Sequence, residues 1–309
     1  MRIIVTGAAG LIGYHLCRRL LDEPHQVIGI DNFSTGQRSN TEQLGHAGGF
    51  HLLEHDICQP VCLDGPVDLI YNLACPPSPV DFASRPLEIL RTCSDGVRQM
   101  LELACDKQAV FLQASTSECY GDPLVTPQPE TYWGNVNPIG PRSCYDEGKR
   151  FAEALTMSYH RQRGLATRIV RIFNTYGPRM RADDGRALPT FINQALRGEP
   201  LTVFGDGSQT RSFCYVDDLV DGIVRLAQSD VVEPVNIGSQ EEVTIGEVAR
   251  EVIELTCSQS TIEYRPLPQD DPKVRRPDNT RARQLLGWQP VTDRRMGFAR
   301  TIEHFRSRL

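Results

Sequence analysis

The sequence predicts an α/β fold built on a doubly wound parallel sheet, and three observations carry that expectation. Short β-branched runs recur in the first half, among them RIIVT (2–6), QVIGI (26–30) and ATRIVRI (166–172). Runs without polar alternation read as strands covered on both faces. Between them lie stretches of helical period, such as LIGYHLCRRLLDE (11–23), which is the pattern of βαβ units. The turn joining the first strand to the first helix, TGAAGLIG, has glycine at 7, 10 and 13.

That turn is the context a dinucleotide fingerprint needs. Gly7 permits the turn, Gly10 lets backbone approach a pyrophosphate, and Gly13 allows the helix to pack closely. Leu11 and Ile12 open the helix, whose free N–H groups and dipole favour phosphate. A Rossmann-like unit is therefore expected. Asp31 ends the second strand, where a carboxylate accepts ribose hydroxyls and repels a 2′-phosphate, so NAD is preferred over NADP. Asp31 also fits a plain turn before Asn32. The loop Asn32, Phe33, Ser34, Thr35, Gly36 is expected to line the adenosine. FHLLE (50–54) reads as a third strand, with Asp56 and Ile57 beyond it at the adenine edge. VDLIYN (67–72) reads as a fourth, with Leu73 and Cys75 at its tip. CPPSPVDFASRP (75–86) reads as a loop, 87–105 as one long helix, and AVFLQA (109–114) as the fifth strand.

The fifth strand runs into Ser115-Thr116-Ser117-Glu118. Ligands sit at strand C-termini in this architecture, and a hydroxyl there can share a proton with a base. A turn-forming Ser/Thr cluster with a solvated Glu reads the same way on sequence alone. Tyr145 precedes Lys149 by four residues on an expected helix, which puts both on one face. A nearby ammonium stabilises phenolate and should lower the tyrosine pKa toward neutrality. An exposed helix pair is the plain alternative.

The bulk composition narrows the class. The chain has 309 residues, 33 Lys+Arg against 39 Asp+Glu, and a net charge of −6. No basic footprint for nucleic acid is present. No apolar run approaches the length of a membrane span, and the chain opens directly on a strand, so neither a span nor a signal peptide is expected. Ten scattered cysteines without a CxxC pair read as reduced, buried thiols of a cytoplasmic protein. No metal is expected.

The stretches STSECYGDP, PQPETYWGNVNPIGPRSCYDEGKR, RIFNTYGPRM and ALRGEPLTVFGDGSQTRSFCYVDDLV carry a family likeness. Over nearly its whole length the chain resembles the extended short-chain dehydrogenase/reductase family. Within it, the UDP-glucuronate decarboxylases (UDP-xylose synthases) are the subgroup it resembles. The resemblance implies a Rossmann domain over 1–175 and a smaller α/β substrate lobe over 176–309, with a strand near 235–238 returning to the main sheet. It implies NAD as cofactor, UDP-glucuronate as substrate and a homodimer paired through helices near 87–105 and 145–163. It places the catalytic hydroxyl on Thr116, the catalytic carboxylate on Glu118 and the base pair on Tyr145 and Lys149. Arg275 is placed against the sugar carboxylate. Thr92, Ala114, Thr175 and Arg186 join the cofactor wall. Arg91, Ser117, Tyr159, Asn174, Arg179 and Arg211 join the substrate contacts. Related dehydratases usually carry Asp-Glu after the threonine and simple 4-epimerases lack the glutamate, so Ser117-Glu118 favours the decarboxylase. A 4-epimerase, a 4,6-dehydratase or a non-catalytic NAD sensor on the same scaffold are the alternatives. Asn72, Cys93 and Gln99 depart from the family pattern.

Overall fold

Seven parallel strands form one sheet in the computed structural model, which describes residues 1–267 and 273–308. From edge to edge the order is Val235–Ile237, Thr167–Ile172, Val110–Thr116, Leu69–Asn72, Arg2–Thr6, Gln26–Asp31 and Phe50–Glu54. The chain starts in Arg2–Thr6, winds outward to Phe50–Glu54, then returns to Leu69–Asn72 on the other side. The reversal between Arg2–Thr6 and Leu69–Asn72 is a topological switch point, and ligands bind beyond the strand ends there.

The first strand shows why the sheet is central. Ile3 and Val5 pack into one core cluster with Leu16 and Leu20, while Ile4 packs into another with Ile28, Met100 and Phe111. Successive side chains point to opposite faces, and both faces are covered by helices. Each such side chain contributes roughly 1.5–3 kcal/mol by leaving water.

The helix Ser143–Arg163 packs Ala152 and Leu155 into the cluster that holds Val97 and Leu101 of Val97–Lys107. It stops at Gly164, whose φ of +66° supplies the left-handed residue that closes a helix end.

Two local readings change. The expected single helix over 87–105 is three pieces: Pro86–Arg91, a π-helical turn Thr92–Gly96, and Val97–Lys107. Within it the Thr92 hydroxyl donates to the Glu88 carbonyl at 2.8 Å. The proline-rich stretch expected as loop contains a short helix, Pro79–Ser84, with Ser78 as its cap and Pro79 in its first turn. Proline is tolerated there because a first-turn N–H has no helical acceptor. Not every thiol is buried either: Cys62 and Cys257 are exposed, and all ten are free.

The second half supplies helices Ala187–Arg197, Val216–Gln228, Ile245–Thr256 and Arg294–Arg306, with three two-stranded ladders. Thr244 caps Ile245–Thr256 through a reciprocal bond pair with Glu247. Val235–Ile237 leaves this half and pairs with Val170–Ile172 of the main sheet.

Candidate active site

A cavity of about 610 Å³ opens beyond the strand ends at the switch point. Its floor is the glycine turn. Gly7 has φ +70°, and a Cβ on Gly13 would stand 2.0 Å from the Gly7 carbonyl oxygen. Only hydrogen fits at position 13. The helix Leu11–Leu21 therefore starts hard against the turn, and its first N–H groups lack acceptors within the helix. Leu11, Ile12 and Gly13, which carry those groups, line the cavity with Gly7 and Gly10.

Asp31 also lines it. Its carboxylate accepts from the Ala9 N–H at 2.9 Å and the Phe33 N–H at 2.8 Å. Burial raises its pKa and those N–H groups oppose the rise. Asn32, Thr35, Gly36, Asp56, Ile57, Leu73, Cys75, Thr92, Ala114, Thr175 and Arg186 reach the same cavity. Phe33 does not; its ring lies under the Arg38 guanidinium, 4.1 Å from the centroid. The cradle that a Cβ would fill, the helix N-terminus and the carboxylate at the second strand end fit a dinucleotide with a free 2′-hydroxyl.

Thr116 ends the fifth strand, and Tyr145 and Lys149 stand one turn apart on Ser143–Arg163. The Lys149 Nζ lies 5.7 Å from the Tyr145 ring centroid and donates to the Ala114 carbonyl at 3.0 Å. The phenol ring stacks on Phe82 at 4.8 Å and 22°. The expected lowering of the tyrosine pKa is not what the protein alone produces. Burial pushes Tyr145 above its ordinary value, while the Lys149 charge and a hydrogen bond from Thr116 pull the other way. Tyr145 is 7% exposed, and losing water penalises phenolate more than one ammonium repays.

Glu118 lies between two arginines. Its Oε2 accepts from Arg142 at 2.6 Å and from Arg275 at 3.1 Å. Burial works against ionisation, but Arg275 and Arg142 outweigh it and hold the carboxyl at about 2. Glu118 and Arg142 line the cavity, whereas Arg275 does not. Arg275 is 1% exposed and donates to the Ser117 carbonyl at 2.8 Å. The sequence reading placed Arg275 against a sugar carboxylate; here its guanidinium holds the Ser117-Glu118 turn through both of these contacts. Arg142 was missed by that reading, although it sits three residues before Tyr145, one helical turn away. Phe82 was missed because its helix read as loop. Nearby Asp146 is buried, and its Oδ1 has no hydrogen-bond partner among the described residues. Burial and then the charge of Glu118 raise it to about 7.

Ser117, Asn174, Arg179 and Arg211 line the cavity too. Two expected substrate contacts do not reach it. Arg91 is exposed outside. Tyr159 donates to the Glu102 carboxylate and ties its helix to Val97–Lys107. Fourteen residues separate it from Tyr145, or about 21 Å along a helix. Of the family departures, Asn72 is built into the fold. It accepts from the Thr6 hydroxyl at 2.8 Å and donates to Gln113 at 2.9 Å.

Comparison with known proteins agrees with this geometry. Residues 3–238 match the NAD dependent epimerase/dehydratase family. UDP-glucuronic acid decarboxylase 4 of Arabidopsis thaliana is 51% identical over 309 residues, covering 100% of this chain and 69% of the relative. UDP-glucuronic acid decarboxylase 1 of Danio rerio is 50% identical over 305 residues, covering 98% of this chain and 72% of the relative. Among solved structures, UDP-glucuronic acid 4-epimerase from Bacillus cereus in complex with UDP-glucuronic acid and NAD superposes with a TM-score of 0.89. It is 28% identical, and all of both chains is covered. UDP-glucose 4-epimerase from Thermotoga maritima superposes with a TM-score of 0.90 at 28% identity, covering 100% of this chain and 99% of that one. The chain belongs to the NAD dependent epimerase/dehydratase family.

Proposed function

We propose that the chain decarboxylates UDP-glucuronate to UDP-xylose and CO2 and returns its NAD unchanged after each turnover. The observation that carries this reading is Glu118, kept ionised by Arg142 and Arg275 in the cavity that also holds Thr116, Tyr145 and Lys149. The decarboxylases at 51% and 50% identity support it.

Gly7, Gly10 and Gly13 hold the cofactor pyrophosphate and Asp31 its ribose. Bound NAD+ supplies a hydride acceptor for carbon 4 of the sugar and a positive charge of its own. Tyr145 takes the proton of the 4-hydroxyl, and Lys149 lowers the cost of the phenolate so formed. A ketone at carbon 4 makes the sugar a β-keto acid, and its carboxyl leaves as CO2. Thr116 and the protonated Tyr145 donate to the enolate oxygen that results. Glu118, held anionic, orients the sugar. Carbon 5 takes a proton from water, the hydride returns to carbon 4 and Tyr145 gives its proton back to the 4-oxygen, which yields UDP-xylose with no net redox change. Arg142, which lines the cavity and holds Glu118, meets the sugar carboxylate; Arg275 positions Glu118. Arg211 pairs with the diphosphate.

In this reading residues 1–175 carry cofactor and chemistry and residues 176–309 bind the sugar nucleotide. The protein is a cytoplasmic homodimer. Leu87, Leu90 and Phe151, 79%, 41% and 50% exposed on the two pairing helices, support that assembly. Among the described residues no helix is long and apolar enough to cross a membrane.

The test is incubation with UDP-glucuronate, followed by proton NMR with CO2 trapping. UDP-xylose with stoichiometric CO2 is expected. UDP-galacturonate without CO2 would make the chain a 4-epimerase, the activity named for its Bacillus cereus structural neighbour. Conversion of dTDP-glucose, with UDP-glucuronate untouched, would make it a dehydratase.

A further inference from the structure

Cys75 and Cys93 meet sulfur to sulfur at 3.6 Å. Cys75 follows the fourth strand, is half-buried and lines the cavity. Cys93 lies behind it in the π-helical turn and is 2% exposed. Neither thiol has a task in the chemistry above. The two are inequivalent. The hydrogen bond with Cys93 and then the Lys149 charge, against burial, bring Cys75 down to about 7. The same hydrogen bond and burial push Cys93 up. The accessible sulfur is thus the nucleophile, and the buried one stands where a resolving thiol is needed.

We propose that Cys75 and Cys93 form a reversible disulfide in the cavity wall when the protein meets a hydroperoxide, and that closing it suppresses ligand binding and turnover. The Cys75 thiolate attacks one peroxide oxygen. The O–O bond breaks, leaving a sulfenic acid on Cys75 and, after protonation, one water or alcohol. Cys93 attacks the sulfenic sulfur, the S–S bond forms and the hydroxyl leaves as water. Two thiols lose two electrons in total, and the peroxide gains them. A dithiol reductant reverses the step.

The geometry explains the consequence. A disulfide sets the sulfurs about 2.0 Å apart, so the pair must close by roughly 1.6 Å. The helix bearing the base pair rests on Cys93: a Cβ on Gly148 would stand 3.2 Å from both its Cβ and its Sγ. Gly148 adjoins Lys149, and Thr92, which adjoins Cys93, lines the cavity. Drawing Cys93 toward Cys75 therefore moves the support beneath the turn that carries Tyr145 and Lys149.

The experiment treats the full chain with hydrogen peroxide, caps remaining thiols, and maps peptides by mass spectrometry. NAD affinity and turnover are measured before and after. A Cys75–Cys93 cross-link is expected, with a loss of about 2 Da. NAD affinity and turnover should fall at least tenfold, and dithiothreitol should restore both. Cys93→Ser, compared with its own untreated value, should give no cross-link, and its Cys75 should proceed to sulfinic acid that dithiothreitol does not reverse. Cys144→Ser should respond like the parent. A Cys75–Cys144 link, no cross-link under excess peroxide, or a cross-link with unchanged NAD affinity would each overturn the proposal. The cross-link and NAD readouts do not depend on which sugar is the substrate, so their failure is separable from failure of the decarboxylase reading.

Discussion

Replacing Gly13 by alanine tests the cofactor cradle at its tightest point. The added carbon would stand 2.0 Å from the Gly7 carbonyl oxygen and 2.8 Å from the Ala8 Cα. Favourable contacts lie near 3.5 Å, so the overlap exceeds about 1 Å. Both sides of the clash are backbone, and no rotamer change relieves it. The turn has to move, and overpacking of this kind costs about 1–3 kcal/mol or more. The atoms displaced are those that would receive the pyrophosphate. If the strain falls on the bound state, NAD affinity drops about 10- to 100-fold, at about 1.4 kcal/mol per decade. Two other glycines calibrate the effect. A Cβ on Gly10 would lie 3.3 Å from the Gly7 oxygen, and one on Gly45 would meet nothing within 4 Å. Gly10→Ala should therefore cost only a few-fold in affinity. Gly45→Ala should leave affinity intact and raise the melting temperature slightly, because alanine is the better helix residue. Calorimetric titration with NAD, and melting curves with and without NAD, measure all three. Wild-type NAD affinity in Gly13→Ala, or a loss no larger than that of Gly10→Ala, would refute the argument.

Tyr145→Phe should lower turnover by about 10²–10⁴-fold while NAD titrations stay close to wild type, measured by calorimetry and CO2 release. Arg142→Gln should raise KM for the uronate. It also removes one of the two charges that hold Glu118 near 2. The carboxyl pKa then rises, so the ionised form is lost at higher pH, and the acid limb of kcat/KM moves upward by about one unit or more. Asp146 works in the opposite sense. Its folded pKa of about 7 lies above the ordinary 3.8. Between those values the folded state holds a proton that the unfolded chain has released. Stability therefore falls as pH rises through that window. Asp146→Asn should flatten urea midpoints across it and be more stable than the parent above neutrality.

Much of this architecture could be read from the chain. RIIVT was legible as a strand because an interior parallel strand needs apolar residues on both faces, whereas FHLLE is the edge strand, with only Phe50 fully buried. The cradle was legible because three glycines stood between a strand and a helix. The π-helical turn was not, since apolar spacing does not separate a helix from one with an extra residue in a single turn. The helix Pro79–Ser84 was hidden by Pro79 and by the prolines that flank it, although Ser78-Pro79 is itself a helix-start signal. That Arg142 as well as Arg275 holds Glu118, and that Arg142 lines the cavity, was illegible for another reason. Sequence gives the charge of an arginine but not whether a turn such as Ser117-Glu118 stands between it and solvent. Tyr159 and Arg91 show the converse limit: a likeness between families names positions, and helix geometry then decides which of them reach the cleft.

The return of Val235–Ile237 to the main sheet has a consequence for how this protein can be dissected. A fragment ending at residue 175 would keep every glycine of the cradle and every side chain of the base pair. It would also lay bare the N–H and C=O groups of Val170–Ile172 that Val235–Ile237 now satisfies. Unpaired strand margins of that kind recruit other chains. Residues 1–175 are thus not a detachable unit, and any exchange of residues 176–309 has to keep Val235–Ile237 in place beside Val170–Ile172.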